Sequence, residues 1–180
     1  MRKQVFVMAT AVAMLAVACK KDSNEMVDNS LYAKLGGSAM VADPTNSAQM
    51  IEKGRLGLRS VVDSSIFVIA ADPKMQPFFA PLLTEVTAGN TTNLSILSKN
   101  LTDFFCVATG AKNFTYSGLG MAAAHDPARN PRMAKKSTNA DYDAFVADVV
   151  IGAQKNKVPA ELIQEVGKLL ETLRSVIVQQ

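Results

Sequence analysis

Asn139-Ala140-Asp141-Tyr142-Asp143-Ala144-Phe145-Val146-Ala147-Asp148-Val149-Val150, followed after a short link by Val158-Pro159-Ala160-Glu161-Leu162-Ile163, is the stretch whose reading decides the fold. Tyr142, Phe145, Val146, Val149 and Val150 recur at three- and four-residue spacing, which predicts a helix over 139–155 with one apolar stripe. Asp141, Asp143 and Asp148 are expected near its positive end or on its outer face, where a carboxylate meets the helix dipole or water. Pro159 suits the first turn of a second helix, because a missing N–H costs nothing there. Leu162, Ile163, Val166, Leu169, Leu170, Leu173, Val176 and Ile177 carry the apolar face of that helix onward. Two amphipathic helices on a short link predict an antiparallel hairpin.

Working outward, residues 55–71 carry Leu56, Leu58, Val61, Val62, Ile66, Phe67, Ile69 and Ala70 and stop before Asp72-Pro73. The β-branched content of 65–70 permits a strand, but length and polar intervals select a helix. Residues 93–108 carry Leu94, Ile96, Leu97, Leu101, Phe104, Phe105 and Val107 and stop at Thr109-Gly110. Few hairpin turn signals occur, so an all-α chain with four substantial helices is expected. The segment 108–132 departs from compact helix. It holds Gly110, Gly118, Gly120, Pro127, Pro131 and His125, the one histidine of the chain, and it separates the two helical pairs. One imidazole cannot build a multi-histidine zinc site or a histidine relay; it can supply one axial nitrogen to a cofactor such as haem.

Arg2 and Lys3 precede an apolar run over 5–18, the charge order of a secretory leader and too short to span a bilayer comfortably. Two endings stay open. Ala16-Val17-Ala18 fits ordinary small-x-small cleavage and secretion, whereas Cys19 after Ala18 resembles the lipobox of bacterial lipoproteins, with Ala16 where its leucine usually stands. The polar stretch Lys20-Lys21-Asp22-Ser23-Asn24-Glu25 favours the second: a lipidated Cys19 anchoring an exported domain to a bacterial membrane, facing the periplasm. The expected organisation is a leader over 1–18, a tether over 19–29 and one globular domain over 30–180. Cys106 beside Phe104 and Phe105 is expected as a small buried hydrophobe. Of 19 Lys and Arg, two lie in the leader, and 16 Asp and Glu balance the rest, so no electrostatic case for nucleic acid exists.

Ser30-Leu31-Tyr32-Ala33-Lys34-Leu35-Gly36-Gly37 resembles the opening of the truncated haemoglobins, whose first short helix ends in a Leu-Gly-Gly turn. In order along the chain, four further segments are similar to theirs. They are Ala71-Asp72-Pro73 with Pro77-Phe78-Phe79, the run from Leu101 to Gly110, Tyr116-Ser117-Gly118 with Met121 and His125, and the starts of the two C-terminal helices. The resemblance is closest to group 1 of that family. It implies a two-over-two helical sandwich with haem b between the helix pairs and His125 as proximal iron ligand. It further implies that Phe79 packs against the porphyrin, that Leu101, Phe104 and Met121 line the pocket, and that Tyr116 belongs to the segment before the ligand. For each of these apolar residues, plain core packing is the alternative.

The departures from the family bear on function. Where the family often has a tyrosine that donates to bound dioxygen, this chain has Ile66. Polar distal-helix positions fall near Leu97, Asn100 and Leu101, so Asn100 is the one candidate donor, against the alternative of an exposed helix residue. Lys99 is a conceivable sixth ligand. The loop 126–138 is longer than the family's and carries Arg129, Arg132, Lys135 and Lys136, which either reach haem propionates or stay solvated. The implied function is reversible binding of dioxygen, carbon monoxide or nitric oxide, with any redox partner unspecified. Two other readings stand beside it: a haem enzyme detoxifying nitric oxide or peroxide, and a haem-free helical lipoprotein with an interaction role. The sequence holds no phosphate-binding loop, cysteine cluster or Ser-His-Asp pattern.

Overall fold

A computed structural model of the chain describes residues 28–180; Cys19 and the expected leader lie outside the described residues. Ser30 caps the short helix α1 (Leu31–Lys34) by accepting from Ala33 N–H, and the turn after it runs through Gly36 at φ 124° and Gly37 at φ 62°. Side chains rarely adopt that backbone region, which is why two glycines stand there.

The long helix α2 (Lys53–Ala71) ends at Asp72, where Pro73 forbids continuation. A 3₁₀ turn (Gln76–Phe79) leads into α3 (Ala80–Thr87), and α4 (Thr92–Ala108) returns antiparallel along α2. Its direction is fixed by two contacts: Arg55 on Asp103 at 2.7 Å near one end and Ser98 donating to Asp63 toward the other. The single-turn helix α5 (Met121–Ala124) follows, then α6 (Asn139–Lys155), α7 (Ala160–Glu171) and α8 (Arg174–Ile177). A Thr138–Asp141 capping box starts α6. The Tyr142 hydroxyl at its first turn donates to Leu170 O near the end of α7 at 2.6 Å, so α6 and α7 form the expected antiparallel pair.

The pair α2–α4 stacks on the pair α6–α7, chiefly through α2 against α6. At this crossing Asn156 donates to Ser60 O and Ser64 Oγ, and a Cβ on Gly152 would overlap Ser65, 2.8 Å from its backbone N. Leu58, Val62, Ile66, Phe105, Cys106, Val149 and Leu170 form the main core, each with under a tenth of its surface exposed. Cys106 is fully buried, as expected; burial pushes its thiol up to about 11, against Arg55 beside it.

Three expectations need correction. A two-stranded antiparallel hairpin, β1 (Met40–Asp43) and β2 (Asn46–Glu52), interrupts the otherwise helical chain between α1 and α2. It shows no alternating pattern because residues 44–50 are exposed on both faces, and it is latched by the bidentate Arg59–Asp43 pair at 2.9 and 3.1 Å. The last helix does not run unbroken to Ile177. Leu170 O accepts from both the Tyr142 hydroxyl and Leu173 N, so it is withdrawn from the α-helical ladder and the chain bends into α8. Finally, Asp148 is not on an outer face: it is 6% exposed in α6, and its Oδ2 has no hydrogen-bond partner.

Candidate functional site

Between α4 and α5 the packing changes character. Leu97, Asn100, Leu101 and Phe104 on α4 are each only half-buried, as are Phe79, Tyr116, Met121 and His125. The short helices α3 and α5 contain no buried residue at all. Half-buried apolar side chains facing one another across two walls describe a cleft, the geometry of small-molecule sites in helical proteins.

One wall is α4. Spacing by three and four residues puts Asn93, Leu97, Asn100 and Phe104 on one stripe, while Ser98, Thr102, Phe105 and Cys106 turn toward α2. Ile66 and Leu101 meet in a small apolar cavity completed by Val62, Ile69, Phe105, Phe145 and Val149, so two of the expected distal residues share one space. Asn100 makes no hydrogen bond among the described residues and is the polar member of the stripe's central part. Lys99 points away: its ammonium binds Asp103 at 2.6 Å and its side chain is 61% exposed, so it is not placed to act as a sixth ligand. Burial opposes ionisation of Asp103, yet the Lys99 and Arg55 hydrogen bonds hold its carboxyl below the ordinary range.

The other wall carries His125 at the C-terminal cap of α5. Its Nδ1–H donates to Met121 O at 2.8 Å, one helical turn back. In the neutral ring this fixes the tautomer and leaves the Nε2 lone pair, which has no hydrogen-bond partner among the described residues. Burial pushes the imidazole below its ordinary value, against the Met121 bond, so the ring is neutral at pH 7. A neutral imidazole oriented through one nitrogen and open at the other is the donor that an iron centre requires.

The ends of the cleft are defined by aromatic and sulfur side chains. Tyr116 stands edge-on to Phe104, ring centroids 5.7 Å apart, and its hydroxyl donates to Leu119 O at 2.7 Å. Gly118 permits this fold-back, since a Cβ there would meet the Tyr116 ring at 2.6 Å. At the opposite end Phe79 packs on Ile69, Met75 and Phe78 together with Met133 and Phe145. Met133 and Phe145 were not named as site residues from the sequence. Phe145 was legible only as helix periodicity, and Met133 lies in a loop where no pattern marks a facing.

The basic loop after His125 resolves residue by residue. Arg132 forms a bidentate pair with Glu85 at 2.9 and 2.7 Å, and Lys135 sits over the Phe78 ring at 4.4 Å and 3.9 Å from Asp141. Arg129 and Lys136 form no salt bridge among the described residues and are exposed. Among those residues no group of three or more metal-binding side chains exists, so iron would be held through His125 alone. No helix among them is long and apolar enough to cross a membrane.

No protein-family model and no curated protein matches the sequence. Solved structures do. The truncated hemoglobin of Tetrahymena pyriformis in its Fe(III) form is 20% identical with a TM-score of 0.60, covering 84% of this chain and 99% of its own. The 2/2 hemoglobin of Synechococcus sp. PCC 7002, in the cyanomet state with covalently attached heme, is 23% identical with a TM-score of 0.59 over the same shares. The sandwich of α2–α4 on α6–α7, with His125 on a short helix facing α4, is accordingly the two-over-two fold of the truncated haemoglobins.

Proposed function

We propose that the protein is a haem protein that reversibly binds a diatomic gas, with haem b seated between α4 and α5 and His125 as its axial ligand. The single observation that carries this reading is the Met121-anchored, neutral, half-buried imidazole facing an apolar helix wall. The residues fit the group: one oriented nitrogen donor, half-buried Leu97, Leu101, Phe104, Phe79 and Met121 around it, and the truncated-globin fold about them. When bound, haem would supply an iron with one face held by the protein and the other open to a gas ligand.

The chain's own residues determine what that open face offers. Ile66 and Leu101 line its inner space with hydrocarbon, and Asn100 is the one amide on the same helix stripe. Bound dioxygen carries partial negative charge and gains from a hydrogen-bond donor, whereas carbon monoxide depends on one much less. This lining favours carbon monoxide over dioxygen. The sparse donor set also favours gas binding over turnover of nitric oxide or peroxide. We further propose that the domain is exported and lipid-anchored through Cys19, on the leader-like run and polar tether alone.

The test is titration of haemin into the purified protein, followed by reduction and exposure to carbon monoxide. One haem per chain and a carbonmonoxy spectrum are expected. A folded protein that takes up no stoichiometric haem would contradict the reading.

A further inference from the structure

Polypeptide contacts encircle the cleft. From Phe104 on α4 the circuit passes to Tyr116 by ring contact, to Leu119 O through the Tyr116 hydroxyl, and along the chain through α5 to His125. It then follows the strap of residues 126–136. The first part of the strap is tied to α5 by Asn130 Nδ2 donating to Ala124 O at 2.7 Å. Beyond it, Ser137 Oγ donates to Ile177 O at 2.8 Å, and the Gln179 side chain donates to Ala122 O. Between these anchors Arg132 reaches Glu85 on α3, and Asn93 of α4 donates to Glu85 Oε2 at 2.9 Å, which closes the circuit.

A rigid planar ligand as wide as a porphyrin cannot slide into a closed circuit; one link has to open. Most links are peptide chain or buried contacts. The Arg132–Glu85 link is different, because it joins two segments distant in sequence through side chains that are 42% and 27% exposed. Its two parallel N–H···O bonds give it direction, and its partial exposure makes it the link that water and salt can break. Hydrogen bonds from Arg132 and then Asn93 hold the Glu85 carboxyl below its ordinary range, so both partners are charged at neutral pH.

We propose that Glu85 and Arg132 form the clasp that opens to admit haem and closes to retain it, with Asn93 orienting Glu85. This rests on the haem reading above. The clasp acts on cofactor exchange and leaves the Met121–His125 contact untouched, so both residues are positioning residues. Removing either charge lowers the barrier to opening.

The experiment measures transfer of haem from the loaded protein to an excess of an apoglobin acceptor. Arg132→Gln and Glu85→Gln are each expected to lose haem roughly fivefold faster, the scale of a bidentate ion pair at a partly exposed site. The charge-swapped pair Glu85→Arg with Arg132→Glu is expected to recover most of the difference, which a merely structural role would not produce. Raising the salt to about 1 M should speed loss from the wild type and leave the single variants nearly unchanged. Loss rates in both single variants equal to wild type would overturn the proposal. Amide hydrogen exchange over residues 126–136 in the haem-free protein gives a second readout. Faster exchange in Arg132→Gln, at unchanged global stability, supports the clasp, and unchanged exchange overturns it. A wild type that takes up no haem counts against the haem reading, and the exchange measurement then decides the clasp by itself.

Discussion

The crossing of α2 with α6 and the cleft between α4 and α5 are built from the same kinds of residue and packed in opposite ways. At the crossing Leu58, Val62 and Val149 are buried, and Gly152 lets the two backbones approach until no side chain fits between them. At the cleft Leu97, Phe104 and Met121 are equally apolar and yet half-buried, and neither α3 nor α5 buries a residue. Apolar surface left half-covered forgoes stabilisation of about 25 cal/mol per Å², so a protein that retains such a surface has a use for it. The crossing stabilises the fold; the cleft awaits an apolar partner.

That contrast breaks most easily by truncating one leucine on each side. Leu58→Ala, in the haem-free protein, is expected to cost about 2–5 kcal/mol, the range for a buried leucine that leaves a cavity. Leu97→Ala is expected to cost under about half as much, because water already reaches it. Equal losses in chemical denaturation would mean the cleft is ordinary core. With haem bound, Leu97→Ala should become the more damaging to cofactor retention.

A smaller effect sharpens the comparison from within the crossing. Asp148 is the flaw in an otherwise apolar interface: burial raises its carboxyl above the ordinary range, and the charge of Asp72 raises it further. A folded-state value above the unfolded one means that ionising Asp148 costs stability. The cost is absent below the unfolded carboxylate range near pH 4, grows as pH rises through the folded value, and is full at neutral pH. Asp148→Asn should therefore stabilise the protein by about 1 kcal/mol at pH 7, a rise of roughly 2–4 °C in Tm. The gain should vanish on acidification toward pH 4. A destabilised variant at pH 7 would show that the charge is compensated.

Legibility in the sequence followed the same division. The bounds of α2, α4 and α6 and the antiparallel α6–α7 pair could be read because one face of each helix is buried and periodicity reports that burial. The hairpin β1–β2 could not, since neither face of residues 44–50 is covered and no alternation is imposed on them. The break before α8 depends on the Tyr142 hydroxyl reaching Leu170 O across two helices, a contact that no local pattern encodes. In the cleft, His125 stood out as the single imidazole, while its tautomer came only from the distance to Met121 O. Lys99 and Asn100 are sequence neighbours whose side chains separate by helix phase, one to Asp103 and one onto the cleft stripe. Glu85 and Arg132, 47 residues apart, carried no mark of each other.

The central claim is that His125, held through Nδ1 by Met121, gives its Nε2 to haem iron. The most direct measurement is the ferrous and carbonmonoxy spectrum of His125→Gly, which empties the proximal position, recorded with and without free imidazole. The account predicts that the variant loses the wild-type axial signature and retains haem poorly, and that added imidazole restores the spectrum. A His125→Gly protein whose spectrum and haem content match wild type without imidazole would contradict it.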